Sequence, residues 1–184
     1  MDQELTLKEK ACLLAIARQA VINWIRLGAD YIEPREENSL NVRSGCFVTI
    51  KQKGKLRGCI GNFQSEQPLF KEVAEMAKAS ATKDPRFYPM KEADLDNFSI
   101  EISVLSPLHK IDNIEEIIVG RHGIYLEKGY YRGVLLPQVA TEHKWDRKTF
   151  LKQTCIKAGL STEAWSAEDT EIYIFTAQIF GEEH

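Results

Sequence analysis

Two short apolar runs around a glycine turn constrain this chain more than any other stretch. Cys46-Phe47-Val48-Thr49-Ile50 and Leu56-Arg57-Gly58-Cys59-Ile60 flank Gln52-Lys53-Gly54, so the chain has to turn back on itself as an antiparallel hairpin. A three-residue loop ending in glycine at the left-handed position is a favoured connection. It pairs Lys51 with Lys55, Ile50 with Leu56 and Cys46 with Ile60. Because strand side chains alternate, this register predicts one aliphatic face carrying Cys46, Val48, Ile50, Leu56 and Ile60. The other face carries Phe47, Thr49, Arg57 and Cys59. A two-residue loop would mix the two faces.

Around this hairpin the periodicity predicts three helices and further strands. A helix runs from Leu5 to Leu27, opened by a Thr6/Glu9 capping box and closed by Gly28. Leu13, Ile16, Ala17, Ala20, Trp24 and Leu27 form its buried stripe. The polar segment 29–44 is long for a structureless connection, which points to a short strand or a functional loop. A second helix spans Gln67 to Thr82, with Leu69, Val73, Met76, Ala77 and Ala81 inward, and Pro85 makes Asp84 its boundary. Phe98 to Leu105 alternates as a strand, with Glu101 and Ser103 away from Ile100, Ile102 and Val104. A short helix is expected at 112–118, and a hairpin at 123–127 and 130–136 around Lys128-Gly129. The third helix runs from its N-cap Asp146 to Ala158, and a final strand from Glu171 to Phe180. The first hairpin's Gly54-Lys-Leu-Arg57-Gly58 is echoed by Gly129-Tyr-Tyr-Arg132-Gly133 in the second. Similar turn chemistry used twice accounts for that echo.

Composition narrows the function classes. At 184 residues one domain of two lobes is expected. The 24 basic and 27 acidic residues leave a charge of −3, which argues against a dedicated nucleic-acid binder. The N-terminus is acidic, and its most apolar run, Ala11 to Ala17, is too short to span a bilayer. Cysteines 12, 46, 59 and 155 include no close pair, so they read as reduced thiols of a cytoplasmic protein with no membrane partner. Metal-ligand spacings, phosphate loops and dinucleotide fingerprints are absent from the sequence, so neither a metal nor a cofactor is expected.

A few residues could carry chemistry. Cys59 lies near glycines, and Arg57 on the same face would favour its thiolate, although a half-buried cysteine that merely packs has the same pattern. Lys51, Lys53, Lys55 and Arg57 put positive charge at the hairpin tip, either to protect a sheet edge or to bind an anion. Asp84-Pro85-Arg86-Phe87 presents an acid and a guanidinium after a helix end, and Glu101 lies on a strand's non-aliphatic face.

Leu56-Arg57-Gly58-Cys59-Ile60-Gly61 resembles the signature of the AMMECR domain family, also called AmmeMemoRadiSam system protein A. Asp84-Pro85-Arg86-Phe87, the run Glu101 to Ser106, and Arg132-Gly133-Val134-Leu135-Leu136-Pro137-Gln138-Val139 agree with it in order and spacing. So do Lys157-Ala158-Gly159-Leu160 and the run Phe175 to Phe180. The resemblance implies an α+β fold, a two-lobed single domain over residues 1–184, with antiparallel sheets flanked by helices. It implies a cleft between the lobes and, as partners, a Memo-type protein and a radical S-adenosylmethionine protein. It supplies no reaction. Together with the residues it leads to an enzyme or enzyme subunit binding a small anionic substrate. Arg57, Arg86, Gln138 and Arg132 would contact the substrate, and Cys59, Asp84 and Glu101 would be catalytic. A non-catalytic adaptor is the alternative.

Overall fold

The computed structural model describes residues 4–29 and 32–182. Helices and antiparallel strands form two compact units. One holds the residues up to Leu105 together with those from Gln178 onward, and the other is Ser106–Ala177.

In the first unit, α1 (Leu7–Leu27) begins where both halves of the capping box form. Thr6 Oγ1 accepts from Glu9 N–H at 3.3 Å, and Glu9 accepts from Thr6 N–H at 2.7 Å. Gly28 closes the helix at φ 63°, the left-handed conformation that glycine adopts without a side-chain clash. Val21 completes the buried stripe, while Trp24 and Leu27, expected there, are exposed. The 29–44 segment holds a 3-10 turn, Asn38–Leu40, whose fully buried Leu40 pins it to the core. Burying one leucine is worth about 1.5–3 kcal/mol. No strand forms there among the described residues beyond an isolated Arg43–Pro68 bridge.

Strands β1 (Cys46–Gln52), β2 (Lys55–Asn62), β3 (Phe98–Leu105) and β8 (Ala177–Gly181) form a sheet of order β2-β1-β3-β8. Helix α1 and helix α2 (Leu69–Thr82) pack on one face of it, over Val48, Ile50, Ile100 and Ile102.

The hairpin register differs from the expected one. The loop has two residues, Lys53 and Gly54, both left-handed at φ 51° and 73°, so Gln52 pairs with Lys55 and Lys51 with Leu56. A bulge then skips Arg57, and Ile50 meets Gly58. The extra residue restores the alternation that a two-residue loop would have spoiled. Cys59 pairs with Thr49 and Ile60 with Val48, so Cys59 lies on the face away from Ile60, as expected. Leu56, expected in the core, pairs with Lys51 instead and is 43% exposed.

The second unit contains β4 (His109–Ile111), β5 (Gly123–Lys128), β6 (Tyr131–Leu135), α3 (Pro137–Glu142), α4 (Arg147–Lys157) and β7 (Glu171–Phe175), with sheet order β4-β7-β5-β6. Asp146 caps α4 by accepting from Thr149 N–H at 2.7 Å. The helix expected at 112–118 shrinks to one 3-10 turn, Ile114–Glu116, and α3 and β4 were not anticipated. The single strand expected from 171 to 180 is two strands, β7 and β8, in different sheets. They part at Thr176, which exchanges bonds with Ser106 (Ser106 N–H to Thr176 O and Thr176 N–H to Ser106 Oγ, both 2.9 Å). Alternation already slips at Phe175, which is buried next to buried Ile174 because its ring lies over Gly123.

Both units follow one path: hairpin, helix, then a strand antiparallel to the hairpin's first strand. The elements β1, β2, α2 and β3 correspond to β5, β6, α4 and β7. The turns differ, since at 129–130 Gly129 alone is left-handed. The shared glycine has another cause. A Cβ on Gly58 would stand 2.0 Å from the Ser80 carbonyl oxygen of α2, and one on Gly133 would stand 2.4 Å from that of Thr154 in α4. In each unit the helix backbone crosses the second strand where there is no side chain. The Arg-Gly echo thus marks a repeated helix-on-strand contact more than a repeated turn.

Candidate functional site

Close passage of α2 over Gly58 sets the site's geometry. Ser80 and Asp84 are four residues apart, and both reach β2. Ser80 Oγ accepts from Ile60 N–H at 2.8 Å and donates to Val48 O at 2.7 Å, bridging the two strands. Asp84 Oδ2 accepts from Cys59 N–H at 2.9 Å and from Arg86 Nη2 at 2.7 Å. Its Oδ1 accepts from Arg86 N–H at 3.1 Å and Nε at 3.0 Å. The Asp84 side chain is 2% exposed. The Arg86 guanidinium, then the two backbone N–H groups, hold its carboxyl well below the usual carboxylate range despite burial. Asp84 is therefore a fixed anion that joins β2 to the turn after α2.

On the sheet face away from the helices, Cys59, Thr49 and Glu101 stand in one cross-strand row, because Thr49 pairs with Cys59 on one side and Glu101 on the other. Thr49 Oγ1 donates to Cys59 Sγ at 3.3 Å. Glu101 Oε2 accepts from Lys51 Nζ at 2.9 Å, with both side chains about one-third exposed. Adjacent strands lie about 4.8 Å apart, so the thiol and the carboxylate stand roughly 10 Å from each other across the sheet.

The bulge turns Arg57 toward Phe87 and Asp94. Its guanidinium carbon lies 6.0 Å from the Phe87 ring centroid, and that of Arg86 lies 5.5 Å from the same ring. The Arg57 side chain is 16% exposed, yet its nearest carboxylate oxygen, on Asp94, is 3.7 Å away. That is beyond hydrogen-bond length. Asp94 is itself engaged by Lys91 N–H at 2.8 Å, the main cause that lowers its pKa.

Arg57, Cys59, Asp84 and Arg86 thus meet at the outer edge of β2, and Glu101 lies two strands away on the same sheet. The other two expected residues belong to the second unit. Gln138, in the first turn of α3, has a buried Oε1 without a hydrogen-bond partner among the described residues. Arg132 stands opposite Glu127 and bonds it at 2.8 Å. Sequence reasoning missed Thr49, Ser80 and Asp94. The four-residue spacing of Ser80 and Asp84 at a helix end was the available signal for Ser80. Asp94 had none, because the bulge brings Arg57 to it. Among the described residues no group of three or more His, Cys, Asp or Glu is placed to hold a metal ion. No helix there is long and apolar enough to cross a membrane.

Known proteins match this chain along nearly its whole length. The family model described as AMMECR1 matches residues 14–180. Protein MK0488 of Methanopyrus kandleri is 41% identical over 192 residues, covering 100% of this chain and 93% of that one. Protein MJ0810 of Methanocaldococcus jannaschii is 40% identical, covering 97% and 92%. The crystal structure of uncharacterized protein PH0010 from Pyrococcus horikoshii superimposes with a TM-score of 0.84 at 40% identity, covering 94% of this chain and 91% of that one.

Proposed function

The chain belongs to the AMMECR1 family, and on that premise we propose that its first unit binds a small anionic substrate at Arg57 and Arg86. It would act there as a cytoplasmic enzyme or enzyme subunit, with Cys59 and Glu101 facing the bound molecule. One observation carries the reading: no group among the described residues accepts a hydrogen bond from the largely buried Arg57 guanidinium. A guanidinium has five donors in a planar fork, suited to a carboxylate or phosphate. Arg86 supports it, since Asp84 takes its Nε and Nη2 and leaves Nη1 for a ligand.

In this reading Asp84 positions Arg86 and the Cys59 backbone and moves no proton, because its own bonds keep it ionised. Glu101, bonded among the described residues only by Lys51, would be the carboxylate that takes part in proton transfer, and Thr49 would orient the Cys59 thiol. Gln138 and Arg132 belong to the second unit and the reading does not use them; Arg132 is held by Glu127.

The test is thermal denaturation in phosphate and in malonate against chloride at equal ionic strength. Either anion should raise the melting temperature of the native protein, and Arg57→Ala should abolish the rise. An unchanged rise in Arg57→Ala would refute the site. A docking role, with a partner such as a Memo-type protein, is favoured by Tyr88, which is 90% exposed beside Phe87. It predicts no anion-dependent rise, and loss of partner binding in Tyr88→Ala.

A further inference from the structure

A pocket lies in the first unit, between the outer side of α1 and residues 32–35, with a volume of about 420 Å³. Its size is within the ordinary range for small-molecule sites. Ile16, Ala20 and Ile32 make an apolar floor. Gln19 and Asn23, one turn apart on α1, line the same wall and bond each other at 2.6 Å through Gln19 Nε2 and Asn23 Oδ1.

The informative group is Arg35. Its Nε is buried and meets no hydrogen-bond acceptor among the described residues, although the residue lines the pocket. A buried donor left without a partner is unfavourable, and native structures seldom keep one where no ligand or water completes it. Glu33 stands exposed in the same lining. Its negative charge opposes a ligand with a second negative charge at the mouth.

The geometry points to a binding site for a small monocarboxylate with an apolar body, its carboxylate accepting from Arg35 Nε and its hydrocarbon part lying on Ile16, Ala20 and Ile32. The apolar part supplies affinity by leaving water. The charged hydrogen bond to the guanidinium fixes orientation. Glu33 selects against dicarboxylates and phosphate esters, so this site and the one at Arg57 differ in the anions they accept.

The test titrates the native protein with hexanoate and follows the Arg35 Nε–H resonance, assigned by its disappearance in Arg35→Lys. Hexan-1-ol and adipate serve as matched probes. Hexanoate should shift this resonance and the methyl signals of Ala15 and Ala20 along one saturable curve, with hexan-1-ol and adipate each about tenfold weaker. Ala15→Phe changes an exposed lining residue and fills the pocket without entering the core, so it should remove the shifts. Arg57→Ala should leave them intact, which separates the result from the fate of the anion site. Equal response to hexanoate and hexan-1-ol, persistence in Ala15→Phe, or loss in Arg57→Ala would each overturn the assignment.

Discussion

The two units share a path from hairpin through helix to third strand, but they finish the outward face of their sheets differently. In the first unit the row across three strands is Cys59, Thr49, Glu101; at the same positions the second has Val134, Tyr125, Tyr173. Helix α2 gives Ser80, and the turn after it Asp84, to the neighbouring strands. The second gives Thr154, whose hydroxyl turns back to Phe150 O at 2.8 Å, and Ala158. Arg57 is displaced by a bulge, whereas Arg132 keeps regular register opposite Glu127. Tyr125, Glu127 and Arg132 engage one another in the second unit, and Tyr173, Glu171 and Lys110 do likewise. One scaffold thus carries a face whose polar groups satisfy each other and a face with donors to spare. A bulge and two residues of a helix end make much of the difference.

The shared part of the comparison should break first. Gly58→Ala and Gly133→Ala each force a Cβ to within 2.0 or 2.4 Å of a helix carbonyl oxygen, which backbone movement alone relieves. Overpacking of this kind costs about 1–3 kcal/mol and occasionally more. Both variants should therefore melt several degrees lower, at about 2–4 °C per kcal/mol for a chain this size. They should part on function. Gly58→Ala moves α2, and with it Asp84, away from Cys59, so it should also lose the anion-dependent rise in melting temperature that Gly133→Ala keeps. Loss of the rise in both would mean that the glycine contact is not specific to the site.

Asp84 comes next, as a residue with no polar counterpart in the second unit. Arg86→Ala leaves a buried carboxylate without its cation, at a cost of about 3 kcal/mol. Asp84→Asn should cost somewhat less, about 2 kcal/mol, because the half-exposed Arg86 can turn to water. The pH dependence has a definite sign. The folded pKa of Asp84 lies below its ordinary 3.8, so its stabilisation is complete above that value and fades as pH falls through the folded pKa. Denaturant titrations of native protein and Asp84→Asn should differ most at neutral pH and begin to draw together as pH falls below about 4. A constant difference across that range would remove Asp84 as an ionised anchor.

A smaller effect is expected in the cross-strand row. Thr49→Val removes the donor to Cys59 Sγ and should cost about 0.5–1.5 kcal/mol at most. Alkylation followed by mass spectrometry gives the sharper reading. Cys46 and Cys155 are buried, and burial pushes both thiols up, so they should stay inert in the folded protein. Half-buried Cys59 and Cys12 should react, and Thr49→Val should change the rate at Cys59 alone. An inert Cys59 would leave it as a residue of small size chosen for fit.

How much of this was legible in the sequence depended on how local the cause was. The Thr6/Glu9 box, Gly28, the limits of β3 and the Asp146 cap are set by neighbours a few residues away, and they were readable. The bulge at Arg57 was not. It reconciles a two-residue turn with the aliphatic face, and a three-residue turn satisfied the same pattern without it. The break at Thr176 was hidden because β7 and β8 are both rich in apolar residues, and the sheet each joins depends on distant strands. Cys59, Asp84 and Arg86 were marked by chemistry and position, but their junction depends on the tight crossing at Gly58. No run of residues displays that crossing.

The smallest effect expected belongs to the echo itself. Arg132 matches Arg57 in sequence, so a reading from motif alone would give the two arginines one role. The structure gives the half-exposed Arg132 a partner, Glu127, on the neighbouring strand, and the phenol of Tyr125 bonds the same carboxylate. Exposed ion pairs of this kind are screened by salt and add little to stability. Arg132→Ala should therefore leave the melting temperature within experimental scatter at physiological salt and leave the anion-dependent rise intact. The same substitution at Arg57 should remove that rise. If Arg132→Ala removes it as well, the difference drawn between the two faces is wrong at this position.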